Sequence, residues 1–398
     1  MPLRTSTRES VSRPLQVPSR MDKLRQLSIL IKPASSLCNL RCRYCFYEDE
    51  SENRSQKCYG IMNDETAQKL IESAAEATED GAHISIGFQG GEPTMAGLDF
   101  FRHFLEEEKK YPNRIFTHSI QTNGYAINEE WARFLSQNNF LVGISVDGYR
   151  DLHDHYRLTA SGQGSFDRIS ENLELLKKHK VEFNALCVVT KQCAERPHRV
   201  YNRLKDMGFR YLQFIACLDP IGKPRGLEEY SLTPEDYGRF LCATFDDWYR
   251  DWTTGNYTSI RQFDDYIHLL TGVMPSSCTA LGRCENQLVL EADGSIYPCD
   301  FYVLDEWKLG NITELSILHA IKSPKALEFL SDRGRTPEQC SGCNWQALCH
   351  GGCKKDISFN GEEPENYFCP AFRFFFEYAS ERLIEMARAE LRAIRNQK

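Results

Sequence analysis

The sequence predicts an α/β fold: an open, partial (β/α)6 barrel, then a small cysteine-rich domain, then a C-terminal helix. Three observations carry this. Before Thr254, apolar β-rich runs alternate with helix-period segments six times. Eight of the 16 cysteines crowd between Cys278 and Cys369. After them, apolar residues recur at helical spacing to the end of the chain.

Each element follows from local pattern. Leu27–Ile31 is a short β-rich run, and Asn63 or Asp64 caps a helix to Ala77. His83–Phe88 reads as strand and Leu98–Lys110 as helix. His118–Gln121 is strand and Glu129–Gln137 helix, then Leu141–Val146 strand and Phe166–His179 helix. Phe183–Thr190 is the fifth strand, with helix through Leu204. Tyr211–Cys217 is the sixth, with a helix opened by Thr233-Pro234-Glu235. Six such units imply a parallel sheet with right-handed crossovers. They are too few for a closed eight-stranded barrel, so the sheet is TIM-like but open, and its chemistry belongs at the carboxyl ends of the strands. The expected divisions are 27–255 for the barrel, 256–371 for the cysteine-rich domain and 372–398 for the helix. On that helix Phe374, Phe375, Tyr378, Leu383, Ile384 and Met386 fall near one core-packing face. Residues 1–26 read as a mobile tail without the apolar segment of a secretory signal, and Met21 as a candidate start.

Composition narrows the function. The 398 residues suggest two units. With 48 basic and 56 acidic residues the net charge is −8, which leaves no basic footprint for nucleic acid. No apolar run approaches the ~20 residues that span a bilayer. Without an export signal, so many cysteines argue for thiols in the cytoplasm rather than disulfides. Cys187 and Cys217 lie in apolar runs and read as small core residues.

The densest chemical signal is Cys38-Asn39-Leu40-Arg41-Cys42-Arg43-Tyr44-Cys45. Three thiolates hold three irons of a [4Fe–4S] cluster and leave the fourth open. A zinc knuckle would need a fourth ligand nearby, but the next cysteine is Cys58 and the first histidine is His83. The motif resembles that of the radical S-adenosylmethionine (SAM) enzymes, whose open iron is chelated by the amino and carboxylate groups of SAM. One βα unit later, Gln89-Gly90-Gly91-Glu92-Pro93-Thr94 resembles the GGEP motif of that family, where backbone and carboxylate hold the SAM amino group. Gln121-Thr122-Asn123-Gly124 and Ser145-Val146-Asp147-Gly148 put polar groups at two further strand tips, suited to ribose or carboxylate contacts. The fork of Arg157 suits a carboxylate, or else a surface salt bridge. His153 and His155 beside it read as loop surface.

Downstream stand Cys278, Cys284, Cys299, Cys340, Cys343, Cys349, Cys353 and Cys369. Eight thiolates satisfy two complete [4Fe–4S] clusters, or alternatively two zinc sites. The compartment and the upstream motif favour iron–sulfur. Asp293-Gly294 between apolar runs signals a hairpin, with Cys299 and its neighbour Asp300 just beyond. This arrangement resembles the SPASM-type auxiliary domain. With Leu30–Tyr47, Phe88–Thr94, Ser145–Gly148, Val181–Thr190, Gln213–Pro220 and Gly294–Leu304 in order, the chain resembles the anaerobic sulfatase-maturating enzymes.

That resemblance implies an oxidoreductase with three [4Fe–4S] clusters and SAM. It oxidises a cysteine or serine of a sulfatase polypeptide to Cα-formylglycine. One electron from the cluster at Cys38, Cys42 and Cys45 splits SAM, and the 5′-deoxyadenosyl radical takes the substrate Cβ hydrogen. Asp300 accepts the proton and an auxiliary cluster the electron. The resemblance assigns Cys278, Cys284, Cys299 and Cys353 to the cluster nearer the substrate, and Cys340, Cys343, Cys349 and Cys369 to the outer one. It assigns Tyr44, Gly91, Ser145, Arg157 and Leu218 to SAM, Gln89 and Tyr47 to the substrate, and a flavodoxin or ferredoxin to electron supply. Two other readings stay open. One is a SPASM enzyme that crosslinks a ribosomal peptide, though such relatives often carry a winged docking domain ahead of the radical motif. The other is a plain electron carrier, which would need neither an open iron nor SAM-shaped strand ends.

Overall fold

The computed structural model describes residues 23–285, 287–331, 337–358 and 364–396. Most of the expected tail, and with it the question of Met21, lies outside these. Six parallel strands form the frame: β1 (Leu24–Ile31), β2 (Thr78–Phe88), β3 (Ile115–Thr122), β4 (Leu141–Ser145), β5 (Glu182–Val189) and β6 (Tyr211–Ala216), neighbours in that order. These are the six expected strands. β1 and β2 start earlier than their apolar runs, because ladder pairing needs no apolar side chains and extends through Gln26↔His83 to Leu24↔Thr78.

Several connecting helices begin at side-chain caps. Asn63 accepts from Thr66 N at 2.8 Å ahead of Asp64–Ala77, and Asn128 from Trp131 N at 2.9 Å ahead of Glu129–Gln137. Thr233 accepts from Asp236 N at 3.1 Å ahead of Pro234–Thr253. The helix expected after β5 is broken into Lys191–Ala194 and Pro197–Asp206, since Pro197 has no N–H to continue it. Phe46–Glu52, Arg150–Tyr156 and Arg261–Thr271 are helices the pattern did not reveal. Between sheet and outer helices, the Phe88 ring meets Phe101 at 4.9 Å and Phe104 at 5.3 Å, so the helix Leu98–Glu108 is held on its aromatic face.

The sheet does not stop at β1. Val289–Leu290 pairs parallel with it, through Leu30↔Val289 and Ile31↔Leu290. Ser295–Tyr297 and Gly310–Asn311 extend the sheet antiparallel, and Ser259–Ile260 adds to β6, giving ten strands. The expected Asp293-Gly294 hairpin is present, and it continues the barrel sheet. Its turn requires glycine: Gly294 has φ +83°, and a Cβ there would meet Ile312 Cγ2 at 2.8 Å.

The C-terminal helix runs Cys369–Asn396 and starts earlier than expected. Phe375, Leu383 and Met386 are buried as expected, but Phe374, Tyr378 and Ile384 are 52, 47 and 40% exposed. The buried stripe instead includes Ala371, Phe376, Ala379 and Ala387. Small residues win this face because the backbones come close: a Cβ on Gly238 of the facing helix would lie 3.4 Å from Ala371 Cα. Phe375 stacks on Phe263 with centroids 5.4 Å apart. Phe375→Ala should therefore cost about 3–5 kcal/mol, and Phe374→Ala under about 0.5 kcal/mol; thermal unfolding of the two cluster-loaded variants side by side checks the order.

Candidate active site

The cysteine loop leaves the carboxyl end of β1. Leu40–Cys42 pairs antiparallel with Arg157–Thr159, which sets Cys42 opposite Arg157. Burial pushes the Cys38 thiol up to about 11 and the Cys42 thiol up to about 12; Cys45 is raised by the same cause. Such groups ionise when a cation binds them. Donors already face the sulfurs: Leu40 N lies 3.4 Å and Asn123 Nδ2 3.7 Å from Cys38 Sγ, and Arg157 Nη1 lies 3.9 Å from Cys42 Sγ. Among the described residues no three His, Cys, Asp or Glu side chains gather tightly enough to hold a single metal ion. A cubane, with one iron per thiolate, asks for wider spacing.

Around this loop stand the strand tips. Gly91 N donates to Ser35 O at 2.8 Å and Glu92 N to Leu37 O at 2.8 Å. A Cβ on Gly91 would fall 2.3 Å from Leu37 O, so the close approach this glycine permits is to the cysteine loop itself. Glu92 is buried and staples β2 to β3. Its Oε1 accepts from Thr94 N (3.1 Å), Thr94 Oγ1 (2.6 Å) and Thr122 Oγ1 (2.7 Å), and its Oε2 from Asn123 N (2.8 Å). Ser145 ends β4, paired with Leu186, and Leu218 lies half-buried two residues beyond β6.

Arg157 is a buried ion pair rather than a surface one. Its Nε donates to Asp147 Oδ2 at 2.9 Å, and the Tyr44 hydroxyl donates to the same oxygen. Although burial opposes its charge, the Arg157 guanidinium and then His153 keep the Asp147 carboxyl below its usual range. His153 is buried too, against the expectation of loop surface, whereas His155 is half-exposed and pairs with Glu229. Asp147 N donates to His153 Nδ1 at 3.2 Å, His153 Nε2 meets Ser165 Oγ at 3.0 Å, and Ser165 Oγ donates to Arg157 O at 2.7 Å. That chain fixes the Nε2–H tautomer and holds both ends of the Asp147–Arg157 pair.

The auxiliary cysteines form two groups. Cys299, Cys353 and Cys278 feel one another's charge, and Tyr302 faces Cys353, Cys299 and Cys284. Cys340, Cys343, Cys349 and Cys369 line one cavity of about 200 Å³. Burial raises the Cys299 thiol well above its usual range and Cys349 to about 11. Asp300 comes directly after Cys299 in a 3₁₀ turn, 9% exposed. Lys32 Nζ donates to its Oδ1 at 2.6 Å and Gln89 Nε2 to its Oδ2 at 2.6 Å. Tyr47 lies under this pair, with the Lys32 ammonium 3.8 Å from its ring centroid and its hydroxyl donating to Glu291. Arg54 Nη1 also donates to Glu291, at 2.5 Å. Burial, and then the Asp300 charge, push the Glu50 carboxyl well above its usual range.

Sequence reading missed Lys32, Glu50, Arg54, Glu291 and His153. Lys32 alone left a usable sign, a charge closing the apolar run of a strand whose carboxyl end faces the site.

Comparison with known proteins gives two family matches: the radical SAM superfamily over residues 33–210, and an iron–sulfur cluster-binding domain over residues 278–344. The cysteine-type anaerobic sulfatase-maturating enzyme of Clostridium perfringens is 46% identical over 365 residues, 91% of this chain and 98% of that protein. The serine-type enzyme of Bacteroides thetaiotaomicron is 32% identical over 89% of this chain and 90% of its own. The solved structure of native anSMEcpe with bound AdoMet and Cp18Cys peptide superposes with a TM-score of 0.87 at 44% identity, covering 92% of this chain and 99% of that one.

Two outcomes are expected from the geometry. Gly91→Ala should destabilise the protein by about 1–3 kcal/mol, because two backbones must part; a melting temperature equal to the parent's would contradict the packing described. Burial lowers His153 to about 3, against 6.5 when exposed. Between these values the unfolded chain binds the extra proton, so stability rises with pH there. It is lost by up to about 1.4 kcal/mol per unit as pH falls below 6.5. In His153→Gln that part of the slope should vanish, as urea unfolding at pH 6.5 and 5.5 would show.

Proposed function

Because this chain belongs to the anaerobic sulfatase-maturating enzymes, we propose that it oxidises the active-site cysteine of a sulfatase polypeptide to Cα-formylglycine, with SAM and three [4Fe–4S] clusters as cofactors. The observation that carries this reading is the place of Asp300. It stands beside the cluster ligand Cys299, yet is gripped by residues from the tips of β1 and β2, where the cysteine loop and the GGEP loop meet. A proton acceptor and an electron acceptor thus lie next to each other at the mouth of the barrel.

When bound, SAM and the clusters supply a 5′-deoxyadenosyl radical for the substrate Cβ hydrogen and a sink for the electron that leaves. The chain does the rest. Cys38, Cys42 and Cys45 hold three irons and leave one for SAM. Tyr44, Gly91, Ser145, Arg157 and Leu218 line the SAM side, with Arg157 held ready by Asp147. Cys278, Cys284, Cys299 and Cys353 hold the nearer auxiliary cluster, and Cys340, Cys343, Cys349 and Cys369 the outer one. Asp300 takes the substrate thiol proton. The thioaldehyde left after loss of hydrogen, proton and electron is hydrolysed by water to the aldehyde with release of hydrogen sulfide. Gln89 faces the peptide above the buried Tyr47. Higher identity to a cysteine-type relative than to a serine-type one supports cysteine as the first substrate. Among the described residues no helix is long and apolar enough to cross a membrane. We place the reaction in the cytoplasm, with a flavodoxin or ferredoxin as electron donor, because free buried cysteines such as Cys187 and Cys193 suit a reducing compartment.

Mass spectrometry of sulfatase-motif peptides incubated anaerobically with reconstituted enzyme, SAM and dithionite tests the reading. A loss of about 18 mass units from a Cys peptide, or about 2 from a Ser peptide, identifies the aldehyde. A crosslinked product instead would replace the reading. Asp300→Asn should still cleave SAM but make ~10²-fold less aldehyde; near-normal yield would remove Asp300 from the mechanism.

A further inference from the structure

Lys32 closes the β1 run and is 0% exposed. A buried ammonium without a partner costs several kcal/mol, so its placement needs a reason. Its ion-pair partner is Asp300, at 2.6 Å, 268 residues away in sequence. Below it the Tyr47 ring, 3.8 Å off, is itself pinned through Glu291 and Arg54. The ammonium is therefore wedged between an immobile aromatic face and one oxygen of the carboxylate, on the tip of a core strand. Asp300 rides on a three-residue 3₁₀ turn, which has little rigidity of its own. Among the described residues its other oxygen, Oδ2, meets only the neutral amide of Gln89, which is half-buried and can exchange partners.

We propose that Lys32 is the positioning residue for the proton acceptor: it fixes Oδ1 of Asp300, so that Oδ2 is the oxygen presented to the substrate once Gln89 turns to the peptide. The inference rests on Asp300 as the acceptor. Orientation of this kind sets the rate of proton removal without touching SAM cleavage, and a misplacement of about 1 Å can cost ~10²-fold.

The test measures 5′-deoxyadenosine and formylglycine in one reaction with a Cys-bearing sulfatase-motif peptide. Iron content and cluster absorption are recorded for each variant. Lys32→Met should keep deoxyadenosine formation within about threefold of the parent, while aldehyde per deoxyadenosine falls at least about tenfold. Lys32→Arg, which keeps the charge and a donor, should restore most of that ratio. A parent-like ratio in Lys32→Met, or a parallel loss of both products at full iron content, overturns the proposal; the second result marks a merely structural lysine. Should Lys32→Met fail to fold, Lys32→Gln decides, with a parent-like ratio overturning the proposal and a ratio at least about threefold lower supporting it. Parent enzyme that makes no aldehyde at all refutes the formylglycine reading, and near-normal aldehyde from Asp300→Asn refutes Asp300 as the acceptor; both are failures distinct from that of Lys32.

Discussion

Two residue pairs hold the two halves of this chemistry together. Leu30↔Val289 and Ile31↔Leu290 graft a late hairpin onto the first barrel strand, in parallel. Parallel neighbours in a sheet need a long connection, and here the connection is the barrel itself. The hairpin's second strand, Ser295–Tyr297, runs back antiparallel, and the turn after it meets Lys32 and Gln89 at the tips of β1 and β2. It carries Cys299 and Asp300 there. A one-residue slip would turn the hairpin's side chains to the opposite face, sending Glu291 away from Tyr47 and Arg54. Register in a two-residue ladder thus decides whether Asp300 meets Lys32 and Gln89.

The mouth is stitched by buried charges. Lys32–Asp300, Arg54–Glu291 and Arg157–Asp147 each join segments that lie apart in the chain or in the fold. Replacing such pairs by apolar residues often stabilises a protein, so they are weak as sources of stability and strong as fixers of position. Each has a second contact that sets its angle: the Tyr47 ring for Lys32, the Tyr47 hydroxyl for Glu291, and Tyr44 for Asp147. Two tyrosines of the cysteine loop thereby tie all three pairs to the first cluster site.

How much of this was written in the sequence depends on the range of the interaction. Strands and helices came from local periodicity, and the caps at Asn63 and Thr233 fixed two helix starts. Cysteine spacing marked the chemistry, since metal-ligating residues are rare and dense. The Lys32–Asp300 and Arg54–Glu291 pairs were hard to see because charge alone reads as surface, and only partners 268 and 237 residues away make their burial tolerable. His153 was read as surface because its segment is polar, but it lies on the buried face of the helix Arg150–Tyr156. The C-terminal helix was misread in rotation, because apolar size suggested the face, whereas the close approach at Gly238 selects Ala371 and Ala379 instead.

Glu92 shows how the structure refines a motif. Thr94 N, Thr94 Oγ1 and Thr122 Oγ1 share its Oε1, and Asn123 N meets its Oε2. The staple sets the loop after β2 against the tip of β3, and Asn123 then reaches Cys38 Sγ and Asn39. One carboxylate thus transmits the position of two strands to Cys38, through its four bonds.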